Sequence, residues 1–354
     1  MKIAVTADVH LTTVNRNPER FQVLENILER LHISGIDTLI IAGDLFDASS
    51  QNVSEFESIF SREELRNIKL YIIPGNHDPS LDYSQFTLDN LTVFSEPEIV
   101  RFAGDTLPIL FVPYLPNKNM GEIVASYAQQ LEPERWILVG HGDWSSGLRM
   151  GNPYEPGVYM PLTRQDIDSF RPATVFLGHI HSPMDRPPVY YVGSPCGLDI
   201  TETGYRRILL SDLSTGITEE MAVDTPHIYF NETFVIVPVD GEEAFLRQQI
   251  ADRIQSWELK PGDEQKVRLR IKVSGYSADR RKLLPVIMKS IGSFNFYNNE
   301  EPDLSEVLIS TDSERNYIAD SVKTKIENLQ LPVGPEDPSK EEIILDALHF
   351  IYGD

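Results

Sequence analysis

The stretch Gly178-His179-Ile180-His181 follows an apolar run at residues 173–177 and places two imidazoles one residue apart. The run has the length and composition of a buried β-strand, and the glycine lets the backbone turn where the strand ends. On an extended strand the two histidines share one face and could bind a single metal ion. In a loop they could instead diverge toward two neighbouring ions. The alternative to a metal site is a pair of surface histidines without a function, and the residues upstream argue against it.

Four more apolar runs upstream, at residues 2–7, 38–42, 70–73 and 136–139, also end in turns that carry metal-binding side chains. Helical apolar patterns, including those at residues 18–35 and 53–68, lie between these runs. The sequence therefore predicts an α/β layered core with its site at the carboxyl ends of the strands. The side chains gathered there are Asp8, His10, Asp44, Asn76, His77, His141, His179 and His181.

This mixture of carboxylate, amide and imidazole groups indicates a pair of divalent metal ions. Such ligands suit ions of borderline hardness, Mn²⁺ first, with Fe or Zn as alternatives, better than Mg²⁺ or Ca²⁺, which prefer oxygen. One carboxylate can bridge two ions about 3.5–4 Å apart, an arrangement that suits in-line attack on phosphorus. Asp44 lies between the first and third ligand groups of the sequence and is the candidate bridge.

The composition of the 354 residues, 41% hydrophobic and 24% charged, is typical of a globular protein. The chain has no signal-peptide pattern and no apolar run long enough to cross a membrane. A single cysteine, Cys196, excludes an internal disulfide framework and fits a reducing compartment. We therefore expect a cytoplasmic protein without a membrane partner.

The net charge of −23 argues against a nucleic-acid partner, because phosphates repel an acidic surface. Residues 260–289, however, carry nine basic and three acidic side chains. In a predicted strand there, Lys266, Arg268, Arg270 and Lys272 alternate with apolar residues, which places four cations on one face. That face either is exposed to solvent on the outside of a small core or contacts DNA. Charge alone does not distinguish these two alternatives.

The chain is predicted to comprise three parts, at residues 1–225, 226–300 and 301–354. The first holds all the candidate ligands, and the second shows a small β-α-β-α-β pattern. The third contains two amphipathic helices, the last opened by a Ser339–Glu342 capping box. The apolar stripe of this last helix packs either on its own domain or on the helix of a partner.

The ordered set D-x-H, G-D, G-N-H-D, G-H and G-H-x-H, over residues 8–181, resembles the calcineurin-like metallophosphoesterase superfamily. This resemblance implies a four-layer α-β-β-α sandwich and metal-dependent phosphoester hydrolysis, with Asp44 and His77 as catalytic residues. His77 would contact the scissile phosphate and stabilise or protonate the leaving oxygen. The implied ligands are Asp8, His10, Asp44 and His181 for one ion, and Asp44, Asn76, His141 and His179 for the other.

A narrower resemblance, carried by residues 43–47 and 191–195 and by the strand order at 228–300, is to SbcD-type nucleases of double-strand-break repair. It implies a Mn²⁺-dependent exonuclease and single-strand endonuclease that forms a homodimer. Residues 226–300 would then be a DNA-capping domain, and the C-terminal helices would dock on the coiled-coil base of an SbcC-type SMC-like ATPase. Some family members have His at the position of Asp47, where it supports exonuclease action, so the balance of the two activities stays open.

Two other functions are compatible with the same motifs. The first is a phosphatase or phosphodiesterase for small phosphoesters, in which the second domain is only a lid. The second is a binding scaffold on an inactive phosphoesterase fold. Such scaffolds lose metal ligands, and none is missing from this sequence, so we rank the scaffold last.

Overall fold

A computed structural model of the chain describes residues 1–48, 51–145, 157–292, 294–330 and 338–353. It contains two compact units. The first comprises Met1–Leu198 and Tyr205–Pro226, and the second comprises Asp199–Gly204 and His227–Asp354. Residues 301–354, which the sequence analysis separated from 226–300, thus fall in the same unit as that range.

The first unit is formed where the apolar runs predict strands: the runs at 2–7, 38–42, 70–73, 136–139 and 173–177 become β1, β2, β3, β7 and β10. The helix predicted at residues 53–68 is shorter, because Arg62 takes an extended backbone after the first two turns and only a 3-10 turn follows. The elements are β1 (Lys2–Thr6), α1 (Pro18–Ile33), β2 (Thr38–Ala42), α2 (Val53–Ile59), β3 (Lys69–Ile73), β4 (Leu91–Val93), β5 (Glu98–Val100), β6 (Ile109–Val112), α3 (Met120–Tyr127), β7 (Ile137–His141), β8 (Trp144–Ser145), β9 (Leu162–Thr163), α4 (Arg164–Phe170), β10 (Thr174–Gly178), β11 (Met184–Arg186), β12 (Val189–Tyr191), β13 (Arg207–Asp212) and β14 (Thr218–Ala222).

Two six-stranded sheets form the centre of this unit, with strand orders β14-β13-β1-β2-β3-β4 and β11-β12-β10-β7-β6-β5. The strands β1 to β4 are parallel, and so are β6, β7, β10 and β12, whereas antiparallel strands close the edges. In each sheet the carboxyl ends of the parallel strands therefore meet along one edge, where ligands bind in such folds.

The side chains of each central strand alternate between two apolar layers, because both faces of each sheet are covered. Ile40 of β2 and Val139 of β7 point into a shared layer between the sheets. Leu39 packs beneath α1 and α2 on one side, and Leu138 packs beneath α3 and α4 on the other. The result is a four-layer α-β-β-α sandwich, as the resemblance implies.

The second unit is a small parallel sheet with helices. Its central strand is paired with three neighbours, one more than the sequence predicts. The elements are β15 (Ile228–Ile236), α5 (Glu242–Ser256), β16 (Val267–Ser277), α6 (Leu283–Ile291), β17 (Asn295–Phe296), β18 (Asp303–Ile309), α7 (Ser313–Glu327) and α8 (Lys340–Tyr352).

The prediction that residues 301–354 are helical is wrong at their start, because β18 lies there and pairs with β16. The helix α8 begins, as predicted, with a capping box between Ser339 and Glu342. Its side chains Ile344 and Leu348 are buried against β15, β16 and α7 of the same unit. That face of α8 therefore completes the core of the second unit. Among the described residues, no helix combines the length and apolar character needed to cross a membrane.

Candidate metal centre

The side chains that follow five strands of the first unit converge at one place. Asp8 and His10 follow β1, and Asp44 follows β2. The turn after β3 contributes Asn76 and His77, the last residue of β7 is His141, and His179 and His181 follow β10. The two sheets thus meet at their carboxyl edges, and the candidate ligands lie between them.

Two glycines allow this close approach. A Cβ atom on Gly43 would lie 2.0 Å from Nδ1 of His141, and one on Gly178 would lie 2.1 Å from the carbonyl oxygen of Ala42. Because real Cβ atoms do not approach other atoms so closely, any larger residue at either position would push the two sheet edges apart. The glycines of the G-D and G-H-x-H motifs therefore set the distance between the two halves of the site.

The backbone at the centre is strained. Asp8, His10, Asp44 and His179 all have positive φ, between 49° and 91°, a region that L-residues rarely adopt. Such a conformation costs about 1–3 kcal/mol per residue and persists only where the surroundings hold it. Here backbone hydrogen bonds between the turns after β1 and β2 do so, from Asp8 N to Gly43 O and from His10 N to Asp44 O.

The first group of converging atoms joins the turns after β1 and β10. The Nε2 atoms of His10 and His181 face each other at 3.1 Å. Together with a carboxylate oxygen of Asp8, these two nitrogens lie within 4.8 Å of one another. Oδ1 of Asp8 accepts the N–H of His179, whereas its buried Oδ2 has no hydrogen-bond partner.

The second group surrounds Asp44 and Asn76. Oδ2 of Asp44 lies 3.3 Å from Nε2 of His141 and 3.6 Å from Nε2 of His10, so it stands between the two groups. Oδ1 of Asn76 lies 2.8 Å from Nε2 of His141 and 3.0 Å from Nδ1 of His179. Nδ1 of His141 is 2.9 Å from the carbonyl oxygen of Ala42, which fixes the ring with Nε2 toward the cluster.

The two histidines of G-H-x-H diverge, with His181 beside His10 and His179 beside Asn76. Of the two arrangements that the sequence left open, the structure has the one in which they face different groups of atoms.

The electrostatics of the cluster favour a cation. Burial raises the pKa of Asp8 to about 6 and lowers that of His10 to about 3, so this imidazole keeps its lone pair. Burial opposes the charged form of His141 as well, but Asp44 outweighs it and raises the His141 pKa to about 10. Burial also acts to raise the pKa of Asp44, yet His141 and His10 hold it below the ordinary range.

These atoms fit a divalent metal centre. The carboxylates of Asp8 and Asp44 are 0% and 1% exposed, and two buried charges of the same sign are costly unless positive charge compensates them. Three overlapping groups of side chains could hold a metal ion: Asp8, His10 and His181; His10, Asp44 and His77; and Asp8, Asp44 and His141. The mixed N and O donor set suits Mn, Fe or Zn, and the geometry alone does not select among them.

His77 lies at the half-buried side of the cluster. Its backbone N–H donates to Oδ1 of Asp44 at 2.8 Å, and its ring packs edge-to-face on His10, with centroids 4.7 Å apart. A ring nitrogen of His77 lies within 4.8 Å of ligand atoms of His10 and Asp44. It is therefore placed next to the cluster, where it could bind a metal or contact a substrate.

Two buried arginines that the sequence analysis missed support the ligands. Arg20 of α1 donates from Nη1 to the carbonyl oxygen of His10 at 2.6 Å. Arg206 donates to the carbonyl oxygens of His181 at 2.5 Å and Ser194 at 2.8 Å. Neither arginine lies in a motif, so only the fold brings them to the centre. Ser194, by contrast, lies in a motif that the sequence analysis noted.

Asp78, the last residue of G-N-H-D, holds two turns together. Its carboxylate accepts the N–H groups of Gly75 at 2.7 Å and Phe46 at 3.0 Å. Burial, with the nearby charge of Asp44, raises its pKa to about 7. The residue was visible in the motif, but nothing in the sequence distinguished a supporting carboxylate from a ligand.

Of the predicted basic row, Arg268, Arg270 and Lys272 lie on one face of β16 in the second unit, where they are half-buried and alternate with buried apolar residues. The strand begins at Val267, so Lys266 lies outside it, in the preceding 3-10 turn. Arg270 forms a bidentate ion pair with Glu300, at 2.8 and 2.9 Å. Lys272 pairs with Glu306 at 2.6 Å and Lys266 with Asp263 at 2.9 Å. Arg268 donates to the backbone carbonyls of Gln265 and Val267. Acidic residues of the same unit therefore compensate most of this row.

The comparison with known families agrees with the geometry. The family model described as calcineurin-like phosphoesterase matches residues 1–206, which include every candidate ligand.

Two curated proteins resemble part of the chain. The metallophosphoesterase YhaO of Bacillus subtilis is 26% identical over 199 residues, covering 51% of this chain and 46% of YhaO. The D component of the nuclease SbcCD of Staphylococcus epidermidis is 26% identical over 244 residues, covering 58% of this chain and 65% of that protein. The chain thus spans about half to two thirds of the length of these relatives.

Solved structures resemble the chain more distantly. The protein TT1561 of Thermus thermophilus is 13% identical with a TM-score of 0.40, covering 62% of this chain and 98% of that one. A dimetal phosphatase from Danio rerio is 7% identical with a TM-score of 0.40, covering 63% and 96%.

Replacing Asp44 by Asn should weaken the binding of Mn²⁺ to the chain, because the buried site loses a negative charge that faces both groups of atoms. The affinity for Mn²⁺ should fall by at least the ~10–100-fold that is typical when a residue hydrogen-bonded to a metal ligand is replaced. Titration calorimetry with Mn²⁺ measures it, and circular dichroism checks the fold. Asp346→Asn, on the exposed side of α8, is the matched control. Equal affinity in Asp44→Asn and the unaltered protein would contradict this assignment of the site.

Proposed function

Because the chain belongs to the calcineurin-like phosphoesterase family and is a metal-dependent phosphoester hydrolase, we propose that it is a Mn²⁺-dependent nuclease. It cleaves the phosphodiester bonds of DNA, as an exonuclease and as a single-strand endonuclease, in double-strand-break repair. The observation that carries the proposal is the basic row in the second unit, which a hydrolase of small esters would not need. The partial similarity to the D component of the SbcCD nuclease supports it.

The side chains of the metal centre have different roles. Two divalent ions, when bound, supply Lewis acidity toward the phosphate oxygens and lower the pKa of water. Asp8, His10 and His181 would hold the first ion, and Asn76, His141 and His179 would hold the second. Asp44, whose Oδ2 lies 3.6 Å from Nε2 of His10 and 3.3 Å from Nε2 of His141, would contribute to both. Arg20 and Arg206 fix the backbone of two ligands and so keep the distances short.

His77 acts on the leaving group. Its main chain is tied to Asp44 and its ring is packed on His10, so the imidazole is held beside the cluster. From there it donates a hydrogen bond or a proton to the oxygen that leaves phosphorus. General acid catalysis of this kind contributes about 10²–10⁴-fold to a rate.

The basic row supplies a surface for the DNA backbone. Its ion pairs are half-exposed, and such pairs contribute only about 0–1 kcal/mol each. A phosphate can therefore replace Glu300 or Glu306 as the partner of Arg270 or Lys272 at modest cost. Strand β16 presents Arg268, Arg270 and Lys272 on one face at the spacing of alternate residues, and Lys266 lies in the 3-10 turn just before the strand.

A second candidate function, hydrolysis of small phosphoesters, is favoured by one observation. The carboxylates of Asp263, Glu300 and Glu306 already compensate three of the four cations. In this case the basic row is a solvated face over the small core. The two functions differ in their substrates and can be separated directly.

With Mn²⁺, the purified protein should cleave single-stranded and double-stranded DNA faster than a cyclic nucleotide or a phosphomonoester. His77→Ala should lower the rate of DNA cleavage by about 10²-fold or more, since it removes the proton donor, while Mn²⁺ binding persists. Gel assays with end-labelled DNA measure the first quantity and calorimetry the second.

His32→Ala, at the exposed end of α1, is the matched control and should leave the rate unchanged. Full DNA cleavage by His77→Ala would exclude the role given to His77. If the unaltered protein hydrolyses the cyclic nucleotide or the phosphomonoester faster than DNA, the second candidate function is correct and the nuclease proposal is wrong.

The exposed side of the C-terminal helices is the candidate docking surface for an SbcC-type ATPase. Since α8 buries one face in its own unit, only its other side is available for a partner. Phe350 of α8 is 89% exposed and Tyr317 of α7 is 75% exposed, so both large side chains are accessible to a partner. We place the helix of the ATPase coiled coil against this side.

Phe350→Asp should reduce co-purification of the protein with a co-expressed SbcC-type ATPase by about tenfold, because a charge would replace an apolar anchor. Ile33→Asp, at an 82% exposed position of the first unit, is the control. Undiminished co-purification of Phe350→Asp would remove this surface from the interface. A point substitution is preferable to deleting residues 331–354, since α8 completes the core of its unit. Formation of a homodimer and a cytoplasmic location stay predictions.

A further inference from the structure

A polar pocket of about 290 Å³ opens in the second unit beside Arg268. It lies where the parallel strands β15, β16 and β17 begin. Tyr229, Arg268 and Asn295 are directly opposite one another in the register of these strands, so their side chains leave the same face of the sheet. Phe296 of β17 and the turn that follows it, with Tyr297 and Asn299, complete this part of the lining.

Arg268 differs from the other three members of the basic row. Its Nη1 donates to the carbonyl oxygens of Gln265 at 3.0 Å and Val267 at 2.9 Å, whereas the other cations pair with acidic side chains. Among the described residues that line the pocket, none carries a carboxylate. The guanidinium therefore faces a pocket without a competing negative charge, which suits a phosphate group.

Aromatic rings and side-chain amides form the rest of the lining. The rings of Tyr229 and Tyr297 pack edge-to-face with centroids 5.7 Å apart, and the guanidinium of Arg270 lies 5.1 Å from the Tyr297 ring centroid. Tyr297 is thereby held in position. Asn298 and Asn299 have φ of 51° and 57° and are exposed, so their amides offer donors and acceptors at the rim.

A guanidinium, aromatic rings and amides in one pocket match the parts of a nucleotide: the phosphate, the face of the base and its polar edge. We propose that this pocket binds one nucleotide of single-stranded DNA, with Arg268 on the phosphate and the aromatic rings of the β17 turn against the base. The inference rests on the proposed nuclease function. It adds a pocket for a DNA strand in the second unit. The row of cations by itself does not predict such a pocket.

The test measures binding without cleavage. A fluorescein-labelled twelve-residue oligo-dT is titrated with the full chain in EDTA, and anisotropy is followed at several salt concentrations. Tyr297→Ala should weaken binding by roughly tenfold, as for the loss of one stacked base, with an unchanged salt dependence. Arg268→Gln should weaken it by a similar factor and lower the log–log salt slope by about 0.7, one phosphate contact on a single strand.

Arg247→Gln is the matched control, because it removes one exposed cation of the same unit, on α5 and outside the basic row. It should change affinity by less than about twofold. Hydrolysis of bis-p-nitrophenyl phosphate with Mn²⁺ should be equal in all four proteins, which shows that the catalytic unit is intact.

Affinities of Arg268→Gln and Tyr297→Ala equal to that of the unaltered protein would overturn the inference, as would failure of the unaltered protein to bind the oligonucleotide. Displacement of the oligonucleotide by an equal concentration of thymidine monophosphate would overturn the assignment to a strand. Binding through the pocket without DNA cleavage in Mn²⁺ would support the inference and contradict the proposed nuclease function.

Discussion

Mutual repulsion of buried carboxylates is the constraint on which the rest of the structure depends. Asp8 and Asp44 are almost fully buried within one cluster, and desolvation makes such charges costly unless positive charge lies between them. The fold nevertheless brings them together, with glycines where the two sheets touch and left-handed backbone at four ligand positions. Buried arginines and Asp78 hold the turns in place. Strain of this kind is retained where it serves a function.

The sequence predicts most of this centre, because its information is local. Each strand is a short apolar run, each turn has its glycine, and each ligand follows within a few residues, so the carboxyl ends of parallel strands gather the set. The alternation of strands and helices predicts an α/β layered core, and the resemblance to the family specifies the four layers. Which histidine faces which side chain is not local. The residues alone leave open whether His179 and His181 diverge; the resemblance implies that they do, and the structure shows His181 beside His10 and His179 beside Asn76.

Other features escape sequence reasoning for the same physical reason. Arg20 lies on a helix whose pattern explains it as surface, yet its guanidinium reaches the carbonyl of His10. The strand β18 is largely exposed, so it lacks the apolar run that marks the central strands. The ion pairs of Arg270 and Lys272 join residues about thirty positions apart. Charge patterning reveals the cations but not their partners, and with those partners the row is far less positive than it looks.

The chain should bind two metal ions at neighbouring positions, and a single diffraction experiment tests this directly. Crystals grown with Mn²⁺ and measured near the manganese absorption edge should show two anomalous peaks. One should lie among Asp8, His10, Asp44 and His181, the other among Asp44, Asn76, His141 and His179, about 3.5–4 Å from the first. An absence of peaks between these side chains, or manganese bound only elsewhere, would contradict the assignment.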